Sequence, residues 1–374
     1  MPTDSAEIKE TVFADSNQFF SALLRDIDEA VAHIDLETYI YDLDPLGREV
    51  AEHLAAASRR GVSVRLLVDG VGSLTSGSAL ARQLSADGVQ VRIFNPLPWN
   101  VHHWAWAVPR LPWIVRLQHL LDVMYRRNHR KTCIIDRRII WIGSFNISRS
   151  HLPEEQGGQN WRDTAIRLEG VDAENLQNAF NSTWENDRSL IPRRTFSPEA
   201  IRLNNRHRRK LRIDLLRRMA RTSSRVWITN AYFVPSNLLL RYLKKAARRG
   251  VDVRILLPGT SDVFFMPLVS AMFYRNLLTA GVRIYEYADG MLHAKLMILD
   301  DWMTVGSTNI DYISLYHNLE VEAVVALPQT KKVLEDQFLH DLTRAKEIAI
   351  DHLPQYPRWK KILGQVLLSL KRWL

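Results

Sequence analysis

The chain has 374 residues, 46% hydrophobic and 24% charged, enough for one large domain or two of ordinary size, and the composition excludes an intrinsically disordered chain. Its 50 Lys and Arg against 41 Asp and Glu give a formal charge of +9, which favours an anionic partner without choosing between nucleic acid and an acidic membrane surface. The single cysteine, Cys133, excludes an intramolecular disulfide, fits a reducing, cytoplasm-facing protein and reads as a buried structural thiol.

The first residues, MPTDSAEIKETVFADSNQFF, lack the basic start and apolar core of a signal peptide, and no apolar run approaches the ~20 residues of a spanning helix. SNQFFSALLRDIDEAVAHI (16–34) has a helical period, IDLETYIYD (34–42) reads as a strand, GREVAEHLAAASRR (47–60) as a helix and VSVRLLVDG (62–70) as a strand. After a further strand, DGVQVRIF (87–94), comes an aromatic-rich stretch over 95–127 that holds Trp99, Trp104, Trp106 and Trp113, with Arg110, Arg116, Arg126 and Arg127. Tryptophans beside arginines suit a lipid headgroup boundary, and equally a helical hairpin packed on the core. His102 and His103 in this stretch are adjacent, so they do not share a face as metal ligands would. A basic segment, IRLNNRHRRKLRIDLLRRMARTSSR, leads into SSRVWITNAYFVP (223–235), LLLRYLKKAARR (238–249) and VDVRILLPG (251–259), which repeat the strand, helix, strand order. At the carboxyl end Trp359, Ile362, Leu363, Val366, Leu367, Leu370 and Trp373 follow helical spacing beside Arg358, Lys360, Lys361, Lys371 and Arg372. Such a helix lies on an anionic bilayer or packs as a terminal core helix.

Helix and strand in alternation predict an α/β sandwich with a mixed or largely parallel sheet. The order occurs twice: ASRRGVSVRLLVDG (57–70) aligns with AARRGVDVRILLPG (246–259). Gly88 and Gly281 stand 193 residues apart, yet the histidines His129 and His293 of the motif below stand only 164 apart, so the first half carries 29 extra residues, within 95–127. Insertions of that length usually serve function. The expected organisation is an N-terminal half (1–190), a basic linker (191–222), a C-terminal half (223–350) and an amphipathic helix (351–374).

One phrase occurs in both halves: His129, Lys131 and Asp136 in NHRKTCIID, and His293, Lys295 and Asp300 in LHAKLMILD. The apolar residues between Lys and Asp, 132–135 and 296–299, read as buried strands, so each His and Lys two apart share a face. An imidazole beside an ammonium suits a phosphate: the ammonium holds nonbridging oxygens while a neutral imidazole attacks or protonates. Two such sets facing each other supply a nucleophile and a general acid. Ser144 and Asn146 follow the first copy and Ser307 and Asn309 the second, in small-residue turns whose amides and hydroxyls can add hydrogen bonds to the phosphate.

These residues resemble the twin HKD motifs of the phospholipase D superfamily. Three longer segments, starting at Asp35, Asn230 and Gly281, resemble bacterial cardiolipin synthases, although many of those begin with membrane-spanning helices and this chain does not. The resemblance implies two α/β sandwich halves about a pseudo-twofold axis with one active site between them. It also implies a phosphohistidine intermediate, with His129 as nucleophile and His293 as acid and base, in a chain too symmetrical to prove that order. Two lysines take the place of a divalent ion, so no metal or other cofactor is expected. Superfamily members orient the histidines with a downstream acid, and Asp163 and Glu320 occupy comparable positions. Asp136 and Asp300 belong to the motif, but are expected to anchor the strand and its turn more than to act in the chemistry.

The expected activity is phosphatidyl transfer on phospholipid substrates, phosphatidylglycerol with a second lipid such as phosphatidylethanolamine, by a protein peripheral to the cytoplasmic side of the cell membrane. A hydrolytic phospholipase D differs only in its acceptor. A nucleic-acid phosphodiesterase would use the basic segment 202–225 to track a backbone. Clustering of tryptophans in an apolar insertion, instead of along a basic groove, argues against nucleic acid.

Overall fold

The structure is a computed structural model and describes residues 7–97, 126–187, 200–204 and 207–353. The first half contains β1 (Lys9–Phe13), α1 (Ser16–Glu29), β2 (His33–Thr38), α2 (Pro45–Arg59), β3 (Ser63–Asp69), α3 (Gly77–Ala86), β4 (Gln90–Phe94), β5 (Thr132–Ile135), β6 (Ile139–Gly143), β7 (Ala165–Glu169) and α4 (Glu174–Trp184). The second contains β8 (Ile201–Leu203), α5 (Arg208–Arg221), β9 (Arg225–Thr229), α6 (Asn237–Arg248), β10 (Asp252–Pro258) and the short helices α7 (Met266–Ala271) and α8 (Tyr274–Leu278). It continues through β11 (Arg283–Tyr287), β12 (Leu296–Leu299), β13 (Trp302–Gly306), α9 (Tyr312–Tyr316), β14 (Val321–Val324), α10 (Pro328–Thr343) and β15 (Ala345–Ile348).

Each half is built on one mixed sheet. The strand orders are β1-β7-β6-β5-β2-β3-β4 and β8-β14-β13-β12-β9-β10-β11-β15, the same topology with one edge strand added. Three adjacent strands run parallel in each, β2-β3-β4 and β9-β10-β11, and the motif strands β5 and β12 join them antiparallel. Alternation on the motif strands sets the layers, because successive side chains leave opposite faces. Cys133 and Ile135 pack toward α1 and α2, while Ile134 enters a shared core with Ile140, Ile142 and Ile166 of the first sheet and Leu296, Ile298 and Val305 of the second. The two sheets therefore bury one face against each other, and helices cover the outer faces.

Two expectations change. The first helix ends at Glu29, and His33 and Ile34 already belong to β2. The segment expected to be a linker is instead built into the second half: β8 pairs with β14, as β1 pairs with β7, and α5 packs on α6, as α1 packs on α2. Some of its basic residues are accordingly committed to partners within the fold, while Arg209, Lys210, Arg217 and Arg221 stay exposed. Arg202 is paired with Asp214 and Glu322, Arg208 donates to the carbonyls of His317 and Asn318, and Arg225 is paired with Glu335. No helix among the described residues is long and apolar enough to cross a membrane. The four tryptophans of the aromatic insertion and the carboxyl-terminal amphipathic segment beyond residue 353 lie outside the described residues.

Candidate active site

Each motif leaves its His and Lys just before a short apolar strand. That strand is held on both sides by ladder hydrogen bonds, so the residues entering it have little freedom. The backbone is then stitched across to the other half. The His129 amide donates to the Leu319 carbonyl (3.0 Å) and the Leu319 amide to that of Arg127 (2.8 Å). In the second copy the His293 and Ala294 amides both donate to the Arg162 carbonyl, at 2.8 and 2.9 Å.

This exchange decides which carboxylate meets which imidazole. Glu320 Oε2 lies 3.0 Å from His129 Nδ1, and Asp163 Oδ1 lies 2.7 Å from His293 Nδ1. Each acid follows one motif in the chain but serves the histidine of the other half. All four side chains are buried, and both imidazoles line a single cavity of about 350 Å³ between the halves. With Nδ1 facing a carboxylate, Nε2 is the nitrogen left for a substrate.

The lysines are buried beside them, each with its ammonium donating to the carbonyl of its own motif histidine, Lys131 to His129 (2.9 Å) and Lys295 to His293. Burial, reinforced by the other ammonium, pushes Lys131 well below its ordinary value, and burial brings Lys295 down to about 8. Burial likewise depresses His129, and burial with the nearby Lys295 ammonium takes His293 down to about 3, so both imidazoles are neutral in the empty site. An anion in the cavity would relieve two neighbouring buried ammoniums, so the electrostatics of the site suit a phosphate.

The other motif residues fall into different roles. Asp136 lies at the far end of β5, where its carboxylate accepts the amides of Val31, Ala32 and His33 at 2.8–2.9 Å; Asp300 does the same for Ser223, Ser224 and Arg225 at 2.9–3.0 Å. Both sit at φ 51, a conformation that Asp tolerates better than most residues. Neither lines the cavity; they pin the turns entering β2 and β9. The glycines before the small-residue turns are needed for close approach. A Cβ at Gly143 would stand 2.5 Å from that of Ala165, and one at Gly306 would stand 2.2 Å from the Val321 carbonyl oxygen.

Ser144 and Ser307, expected at the phosphate, are fully buried and do not line the cavity. Ser144 Oγ donates to the Thr164 carbonyl and accepts from the Thr164 amide; Ser307 Oγ donates to Glu320 and accepts from the Val321 amide at 3.1 Å. Asn146 and Asn309 do line the cavity, and Asn309 Oδ1 is buried without a partner.

Sequence reasoning missed two features. His151, in the turn Arg149–His151, places Nδ1 2.7 Å from Asp163 Oδ2, so one carboxylate serves two imidazoles. Arg162 makes a two-point ion pair with Asp341 of α10, at 3.1 and 2.9 Å, which fixes the Asp163 segment against the second half. Neither belongs to a repeated phrase, and repetition was the signal that exposed the motifs. Among the described residues no three or more His, Cys, Asp or Glu side chains are grouped as a metal ion would need.

The family model described as the cardiolipin synthase, phospholipase D-like domain matches residues 23–184 and 215–342. Cardiolipin synthase B of Escherichia coli (strain K12) is 32% identical over 343 residues, covering 88% of this chain and 79% of the relative. A cardiolipin synthase of Geobacillus sp. (strain WCH70) is 31% identical over 370 residues, 95% of this chain and 70% of its own length. In fold the chain is similar to phosphatidylserine synthase of Haemophilus influenzae Rd KW20, with a TM-score of 0.72 at 13% identity, over 98% of this chain and 95% of that one. With a repeated sheet, two crossed histidine–carboxylate pairs in one cavity and a family model that spans both halves, the chain belongs to the cardiolipin synthase family of phospholipase D-like proteins.

Proposed function

We propose that the protein is a phosphatidyltransferase of the cardiolipin synthase type, which moves a phosphatidyl group from phosphatidylglycerol to the hydroxyl of a second phospholipid. The observation that carries this reading is the pair of imidazoles, each with Nδ1 engaged by a carboxylate, on one cavity flanked by two buried ammoniums. His129 Nε2 attacks phosphorus, forming a P–N bond as the P–O bond to the departing glycerol breaks, and His293 gives that alkoxide its proton. The acceptor hydroxyl then returns a proton to His293, its oxygen bonds to phosphorus and the P–N bond breaks. Lys131 and Lys295 hold the charge that builds on the nonbridging oxygens, with Asn146 and Asn309 beside them. The anionic phosphate counters the depression of His293, which must carry the proton it donates.

A lipid substrate suits the walls, because Ile40, Val263, Phe265, Met266 and Ile313 line the cavity together with Tyr39. The loop after β10 that supplies Val263 and Phe265 also carries Phe264, which is 84% exposed. In the equivalent loop after β3, Leu74 is 45% exposed, and Ser73 of that loop accepts the Tyr41 amide and donates to the Tyr39 carbonyl. Exposed apolar side chains on both loops support peripheral attachment to a membrane, which we place at the cytoplasmic face of the cell membrane.

The test is purified protein with phosphatidylglycerol vesicles in EDTA, with and without phosphatidylethanolamine. Cardiolipin is the expected product, and His129→Ala and His293→Ala each abolish it. Phosphatidic acid alone would mark a hydrolase, and DNA cleavage without lipid turnover would overturn the proposal.

A further inference from the structure

His151 is an imidazole that does not line the cavity, yet it shares the carboxylate of one that does. Its side chain is fully shielded from solvent. Nδ1 meets Asp163 Oδ2 at 2.7 Å, and Nε2 accepts the backbone amide of Asn146 at 3.0 Å. A backbone amide can only donate, so Nε2 carries no proton and Nδ1–H must be the donor to Asp163. Asp163 then has both oxygens taken by N–H groups, from His151 on one side and His293 on the other. Burial alone would raise its carboxyl, but the two rings that face it favour the ionised form and hold it well below the usual range.

The second half shows that the fold does not require this third ring. Glu320, the counterpart of Asp163, shares Oε2 between His129 and the Ser307 hydroxyl, and its Oε1 is buried without a hydrogen-bond partner. Two sites built on the same topology therefore anchor their acids differently, and only the acid that faces His293 is held through both oxygens by imidazoles. The Asn146 amide extends the chain of contacts to the turn whose side chain lines the cavity.

We propose that His151 is a positioning residue for His293: it locks Asp163 as a charged acceptor in one orientation, so that His293 keeps Nδ1–H toward Asp163 and presents Nε2 to the leaving group. This rests on His293 acting as the acid in the first step. The geometry separates His151 from a mere packing role, because its polar edge can be removed while its ring contacts with Phe145 and Trp161, both at 5.4 Å between centroids, are kept.

The experiment compares two phosphatidyl donors, one with an alkyl alcohol leaving group and one with p-nitrophenol, which departs without a proton. Because His293 also serves both donors as the base of the second step, the first step is read alone, as the single-turnover rate of leaving-group release: His151→Phe lowers it about 100-fold for the alkyl donor, as expected when acid catalysis is impaired, and leaves the p-nitrophenyl donor within about 3-fold. His151→Asn, whose amide can replace Nδ1–H, recovers about 10-fold of the loss. His293→Ala is the control and shows the same leaving-group dependence in stronger form. Equal losses on both donors in His151→Phe, or no loss on either, would overturn the role of His151. Equal losses on both donors in His293→Ala would instead refute the acid assignment on which it rests.

Discussion

Replacing Asp136 by Ala should cost stability before it costs chemistry, although this residue is the third member of the repeated motif. Its carboxylate accepts three backbone amides at 2.8–2.9 Å, and the residue sits at φ 51. Against partial burial, those amides hold the carboxyl below its ordinary value. Because the group is only partly buried, each bond is worth well under the full charge-assisted value, about 0.7 kcal/mol, and together about 2 kcal/mol. Placing Ala in the left-handed region adds about 1 kcal/mol, for a total near 3 kcal/mol and a fall in Tm of roughly 5 °C. Asp136→Asn keeps the backbone preference and one acceptor oxygen and should lose about half as much. Since the folded carboxyl titrates below the unfolded one, the stabilisation is fully present above about pH 4 and is lost as pH falls through the lower, folded value. Thermal unfolding at pH 7 and pH 3, alongside kcat at a temperature where every variant is folded, checks this. A loss of kcat beyond about 100-fold with Tm unchanged would refute the anchoring role and return Asp136 to the catalytic set.

Further outcomes follow from the same geometry. Glu320→Gln should lower kcat by about 100-fold or more through His129, and combining it with His129→Ala should add little, as measured by a double-mutant cycle; additive losses would break the crossed pairing. Because Lys295 titrates near 8 in the empty site, kcat/KM should fall as pH rises through that value, and Lys295→Arg should move or remove that limb even if overall activity drops. Phe264→Ala should weaken binding to anionic vesicles by roughly 10-fold, from about 1.5–2 kcal/mol of lost burial, without changing turnover of a short-chain monomeric donor; unchanged sedimentation would remove Phe264 from the membrane contact.

Much of this molecule could be read along the chain because it is duplicated. A motif met once is weak evidence, but two copies in matched contexts fixed the phosphate chemistry, the motif strands at 132–135 and 296–299, and the α/β class, since each depends on spacing of two or 3.6 residues within a short window. The same symmetry hid what breaks it. That Glu320 serves His129 and Asp163 serves His293 depends on backbone pairing between Asn128 and Leu319 and between Arg162 and Leu292, contacts separated by well over a hundred residues. That Asp136 stands away from the cavity, that Ser307 anchors an acid instead of a phosphate, and that the basic segment closes the second half are outcomes of packing two sheets face to face. Local pattern determines which groups carry protons and charge; only the tertiary structure decides which of them meet, because that choice is made by burial and long-range pairing, which no local period encodes.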